Sequence, residues 1–118
     1  MLSNPNYIGN HKIEGIGDNF IPELLDKEAI DDIYLVNDDD AINMSRILAK
    51  EVGIGVGISS GANLIGSVLL NKKINKPVVT VFADDNKKYL STDLSKEMDN
   101  NEKFISNKIK LINYEIVK

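Results

Sequence analysis

Three short stretches hold residue types at spacings that can do chemistry. Residues 11–22 read HKIEGIGDNFIP, joining the single His of the chain, two Gly one residue apart and an acid, Asp18. Such a loop suits a phosphate cradle, the lip of an active site or an ordinary turn. Gly53, Gly55, Gly57 and Gly61 form a second group around Ser59 and Ser60. A dinucleotide fingerprint fails here, because its third Gly would have to stand at Ile58 or at Ser60. What remains is a Gly-rich turn feeding a helix start. Its free N–H groups suit an anion, and its missing side chains suit close helix–sheet packing. The third stretch is Asp84–Asp85, just beyond the apolar run 78–82. In open α/β sheets the ligand crevice lies outside such strand ends. Two adjacent carboxylates there repel each other and call for a cation such as Lys87 or Lys88. The sequence DDNKK is equally good turn chemistry.

Other clusters carry less. Asp38, Asp39 and Asp40 do not open a calcium loop, since the sixth position would need Gly and is Asn43, and the twelfth would need Glu and is Ala49. They read as the solvated, acid-favouring start of a helix. His11 has neither a Cys nor a second His to share a metal, so a hydrogen-bonded structural role is its default.

The elements that would position these residues follow from periodicity. Residues 1–22 hold two Pro and three Gly outside any regular pattern and read as an ordered loop. A short helical turn fits FIPELLDKEAIDD, and DDIYLVN (31–37) reads as a buried strand. Asn37 or Asp38 can cap the helix that follows. Ala41, Met44, Ser45, Leu48 and Val52 make its apolar stripe, and Gly53 ends it. A second helix, capped by Ser59 or Ser60, is apolar almost all round from Ala62 to Leu70 and should be deeply buried. KPVVTVFADD then reads as a strand of a parallel sheet covered on both faces. The order strand, helix, helix, strand indicates an α/β fold, an open and mostly parallel sheet flanked by helices.

Composition narrows the classes. A chain of 118 residues, 42% hydrophobic and 27% charged, is one globular domain. Without Cys it has no disulfide, thiolate metal site or Cys nucleophile. The net charge of −4 and the scattered Lys offer no basic face for nucleic acid. No apolar run reaches the length of a membrane span, and the first residues lack the pattern of a signal peptide. A soluble protein of the cytoplasm is the expectation.

HKIEGIGDNFIP, DDDAINMSRILAKEVGIGVGISSGAN and VVTVFADDNKKYLSTDL together resemble, in order and spacing, the C-terminal part of cysteine synthase. This is the pyridoxal-phosphate-dependent O-acetylserine sulfhydrylase group, of fold type II and close to cystathionine β-synthase. The resemblance runs from residue 2 to about 95, leaving 96–118 as a weakly matched tail. It implies that residues 1–118 are a single partial α/β domain of a longer enzyme. The Schiff-base Lys and the cofactor-phosphate loop would lie upstream, so the chain alone is expected to be inactive and not to hold the cofactor.

By the same resemblance the enzyme performs β-replacement, making cysteine from O-acetylserine and sulfide. The alternatives are water or another thiol as nucleophile, or an inactive α/β module. Small amino acids and sulfide are the implied ligands, with a homodimer and serine acetyltransferase as implied partners. Gly15 and Gly17 would line the cofactor cleft, where a missing Cβ lets backbone approach the ring. The Ser59–Gly61 helix start becomes packing beside that cleft rather than an anion site. Two residues depart from the family pattern. Asp85, or else Asp84, stands where the family commonly has Ser facing the pyridine nitrogen. Asp18 stands where relatives often carry a small or neutral residue, and an acid there suits a base acting on the nucleophile.

Overall fold

The computed structural model describes residues 22–87 and 102–117. The loop carrying His11, Gly15, Gly17 and Asp18 lies outside the described residues, as do Lys88 and the segment 89–101.

Two helices form the body. α1 (Asp38–Val52) starts where Asn37 Oδ1 accepts the Asp39 N–H at 2.9 Å, and it places Asp38, Asp39 and Asp40 in the first turn, at the positive end of the helix dipole. It stops at Gly53, whose φ of 71° is left-handed and natural only to Gly. α2 (Ile58–Ile74) starts at Gly57 with no side-chain cap, so Ser59 and Ser60 sit inside its first turn rather than before it. The backbone already leaves the extended Gly57 in helical register, and the Ser residues are not needed as caps. Asn75 closes α2 with φ 52°, a left-handed conformation that Asn tolerates better than most side chains. A 3-10 turn at Lys27–Ala29 fulfils the expectation of a short helical turn there.

The helices cross at Gly61. A Cβ built there would overlap the Ala41 carbonyl oxygen and lie 2.5 Å from the Ser45 hydroxyl. Ser45 Oγ donates to the Gly57 carbonyl at 2.9 Å and lies 3.2 Å from that of Ala41, so one hydroxyl satisfies itself inside the contact. Around the crossing Ile42, Met44, Ile58 and Ile65 are fully buried. Each contributes about 1.5–3 kcal/mol by leaving water.

The tail returns to this core. Its 3-10 turn, Ser106–Lys108, sits on α1, and Ile105, Ile109 and Leu111 pack on the cluster of Met44, Leu48, Val56 and Ile65. Asp40 fixes the return: its two carboxylate oxygens accept the N–H groups of Ile105 and Ser106 at 2.8 and 2.9 Å. Asn43 Nδ2 donates to Ser106 Oγ and Asn107 Oδ1, both at 2.9 Å. Asp40 is therefore buried, which corrects the expectation that the whole acidic run faces water.

The expected sheet does not form among the described residues. Residues 31–37 and 77–82 take no regular secondary structure and belong to no ladder, and the one bridge among the described residues joins Val56 to Asp85. Val79 is 95% exposed and Val81 65%, so the second segment is uncovered rather than enclosed on both faces. A strand is defined by the chain it pairs with, and these two have none here. For the same reason α2 is only half-buried from Gly66 to Leu70.

Two outcomes follow from the packing. Gly61→Ala should lower stability by about 1–3 kcal/mol through overpacking, read as a lower urea midpoint with unchanged slope. Asp40→Ala should cost about 3 kcal/mol by leaving two N–H groups without an acceptor, and amide exchange at residues 105 and 106 should speed up before that of α1.

Candidate functional site

The residues 53–57 between the helices and the turn 84–87 form one local structure. Gly57, the residue before α2, donates its N–H to the Asp84 carbonyl at 3.0 Å. One residue back, Val56 is buried and bridges Asp85 in antiparallel fashion. At Gly55 a Cβ would come within 2.8 Å of the Asn86 side chain, so the turn lies directly on the Gly-rich segment. The close approach is what the Gly spacing serves, and it holds the turn at the N-terminal end of α2.

The two acids of this turn differ. Asp85 is exposed, and its Oδ1 accepts the Lys87 N–H at 2.9 Å, closing the turn on itself. Asp84 is half-buried, and its Oδ1 is shut off from water with no hydrogen-bond partner. A carboxylate oxygen in that condition is an acceptor waiting for an N–H or O–H donor. Lys87, one of the expected neighbouring cations, is exposed and contributes its backbone N–H to Asp85. Ser60, in the first turn of α2, is fully buried with its Oγ likewise unpartnered. No group of His, Cys, Asp and Glu among the described residues could hold a metal ion.

Away from this turn, Lys73 Nζ contacts Asp32 Oδ2 at 2.6 Å. Lys73 holds the Asp32 carboxyl below its ordinary range, helped by the Ile33 N–H, and Asp32 in turn raises the Lys73 pKa. The pair is exposed and serves as a tether between α2 and residues 31–37.

Sequence reasoning missed Ser60 as a buried hydroxyl and Asp40 as a buried acceptor. The signal for Asp40 was present: it lies four residues before Met44 and eight before Leu48, on the apolar stripe itself.

No family model matches the chain. Over 87 residues it is 52% identical to cysteine synthase B of Campylobacter jejuni, a span of 73% of this chain and 29% of that protein. It is 46% identical over 88 residues to cysteine synthase of Staphylococcus aureus, covering 73% of this chain and 28% of the relative. Among solved structures it is similar to a hydrogen sulfide-producing enzyme from Fusobacterium nucleatum, with TM-score 0.75 and 52% identity over 84% of this chain and 30% of that one. An Asp-to-Asn variant of that enzyme, complexed with an alpha-aminoacrylate intermediate, gives TM-score 0.80 and 50% identity over 89% of this chain and 32% of the other. Cysteine synthase of Entamoeba histolytica gives TM-score 0.72 at 37% identity. The chain thus spans under a third of the relatives it matches.

Ser60→Ala tests whether the buried hydroxyl is without a partner in solution. Stability should hold or rise by up to about 1 kcal/mol in urea titration, since nothing but desolvation is removed.

Proposed function

Because the chain is a homologue of cysteine synthases over the length it shares with them, we propose that it forms part of the cleft of a pyridoxal-phosphate-dependent β-replacement enzyme. That enzyme converts O-acetylserine and sulfide to cysteine and acetate. The observation that carries the proposal is the 52% identity over 87 residues. In the complete domain, residues 31–37 and 77–82 are strands of an open, mostly parallel sheet flanked by α1 and α2. The enzyme works in the cytoplasm as a homodimer and is open to serine acetyltransferase as a partner.

The orphaned Asp84 Oδ1 fits the cofactor. Pyridoxal phosphate, when bound, supplies a ring that withdraws the negative charge developing at the substrate Cα. Asp84 Oδ1 would accept the ring N–H and so keep the proton on that nitrogen, which a Ser would not do. Asp85 supports Asp84 by closing the turn, Gly55 lets that turn lie against the segment before α2, and the Gly57 N–H holds it there. Gly15 and Gly17, which carry no Cβ, would let backbone approach the ring and substrate. Asp18 takes the proton of the incoming nucleophile as it adds to Cβ.

A second activity is favoured by a specific observation. The Fusobacterium relative is a hydrogen sulfide-producing enzyme whose Asp-to-Asn variant was captured with a reaction intermediate. With water as nucleophile, the same groups convert cysteine and water to serine and hydrogen sulfide. Asp18 Oδ takes one proton from water, and the hydroxyl replaces the thiol on Cβ.

A hybrid enzyme tests both activities. The residues of Campylobacter jejuni cysteine synthase B that match this chain are replaced by this chain. The hybrid should form cysteine from O-acetylserine and sulfide. Its Asp18→Asn variant should lose acetate at an unchanged rate in rapid mixing while nucleophile addition slows about tenfold or more. A folded hybrid that binds the cofactor yet catalyses neither reaction overturns the assignment. Equal rates for both steps in the variant would remove Asp18 from it.

A further inference from the structure

Ser45 stands on the apolar stripe of α1 and is 1% exposed, where an apolar side chain would serve the core without a hydroxyl to satisfy. Its hydroxyl has one proton and two acceptors within reach, the Gly57 carbonyl at 2.9 Å and the Ala41 carbonyl at 3.2 Å. The second is the back-bond that a Ser inside a helix can make to its own helix. The Gly57 carbonyl, for its part, already accepts the Ser60 N–H at 3.2 Å and the Gly61 N–H at 3.4 Å as α2 begins. Neither partner therefore needs the Ser45–Gly57 bond to escape an unmatched polar group. What the bond adds is a fixed distance between the middle of α1 and residue 57.

That distance matters at the turn 84–87. Val56, Gly57 and Ile58 are all buried, and the Gly57 N–H holds the Asp84 carbonyl at 3.0 Å. One residue thus carries both bonds, and a shift on the α1 side passes across a single Cα to the turn. Gly57 has no side chain to lodge it, and α2 has no side-chain cap to fix its start. Ser45 supplies from α1 the anchor that a cap would supply locally. The contact is tight as well, since a Cβ at Gly61 would lie 2.5 Å from Ser45 Oγ.

We propose that Ser45 is a positioning residue for the Asp84 carboxylate: through Gly57 it sets where the buried, unpartnered Oδ1 stands. The inference rests on the proposed function, in which that oxygen would accept a ring N–H, and adds to it a residue that touches neither cofactor nor substrate. A displacement of roughly 0.5 Å takes an N–H···O contact out of its favourable range, so a small slip at residue 57 is felt at the acceptor. Ser45 therefore bears on the step in which charge develops at the substrate Cα, whereas Asp18 bears on nucleophile addition.

Ser45→Ala and Ser45→Cys test this in the chain itself and in the hybrid enzyme. In the chain, both variants should speed amide exchange of Gly57 about threefold or more, with exchange inside α1 and α2 unchanged. Cys keeps the bulk of the side chain but donates only weakly, so it follows Ala if the hydrogen bond does the positioning and follows Ser if packing does. In the hybrid, rapid mixing should show acetate loss slowed about threefold or more in both variants, with nucleophile addition at the unsubstituted rate. Gly57 exchange at the unsubstituted rate overturns the proposal, and so does a Cys variant that matches Ser. Unchanged acetate loss in a working hybrid overturns it as well. If the unsubstituted hybrid shows no turnover while the Gly57 amide loosens in both variants, the proposed function fails and Ser45 stands as the brace of the Asp84 turn.

Discussion

The crossing of the two helices at Gly61 sets everything else in position. Only a residue without Cβ lets α2 come close enough for Ser45 of α1 to reach the Gly57 carbonyl, the last peptide before α2 begins. That hydrogen bond ties the start of α2 to the middle of α1. Gly57 in turn holds the Asp84 carbonyl, and Val56 bridges Asp85. The turn bearing the unpartnered carboxylate oxygen is thus two hydrogen bonds away from the helix contact. A shift of α2 along α1 would move the candidate site with it.

The other end of α1 organises the tail. A buried carboxylate costs several kcal/mol to desolvate unless its oxygens are matched, and Asp40 matches both with consecutive N–H groups of residues 105 and 106. The arrangement resembles a helix cap turned outward, with the acid on one element and the donors on another. Its consequence is that Ile105, Ile109 and Leu111 reach the main apolar cluster. The tail is joined to the core by this clamp and by the Asn43 contacts.

The acids of the chain show how differently one side-chain type is used. Asp26 and Asp85 accept N–H groups of their own turns. Asp32 is paired with Lys73 at the surface, and the pair is fully charged between the carboxylate and ammonium ranges. Whatever stability it adds is lost as pH falls through the lowered Asp32 pKa, or as it rises through the raised Lys73 pKa. Asp40 is consumed by the tail. Among the acids of the described residues, Asp84 keeps a buried oxygen without a donor, and that is the chemical ground for proposing it as the acceptor of a ring N–H.

The sequence by itself determined the two helices, a cap at Asn37 or Asp38 and the Gly53 stop, because these are local: a stripe at helical spacing, an acceptor before it and a left-handed residue after it. It also carried the kinship to cysteine synthases, through motifs whose order and spacing survive without coordinates. It could not separate Asp84 from Asp85, since adjacent residues differ only in which way the chain carries them. Nor could it tell Asp40 from its two acidic neighbours, because its N–H donors lie 65 and 66 residues away. The start of α2 was misjudged by two or three residues for the same reason: Gly57 is fixed by Ser45 and Asp84, not by a cap of its own. Residues 31–37 and 77–82 read as strands by composition, but pairing belongs to a second chain segment. Tertiary structure decided that neither segment joins a ladder among the described residues, because hydrogen bonds of a sheet are made between segments and never within one.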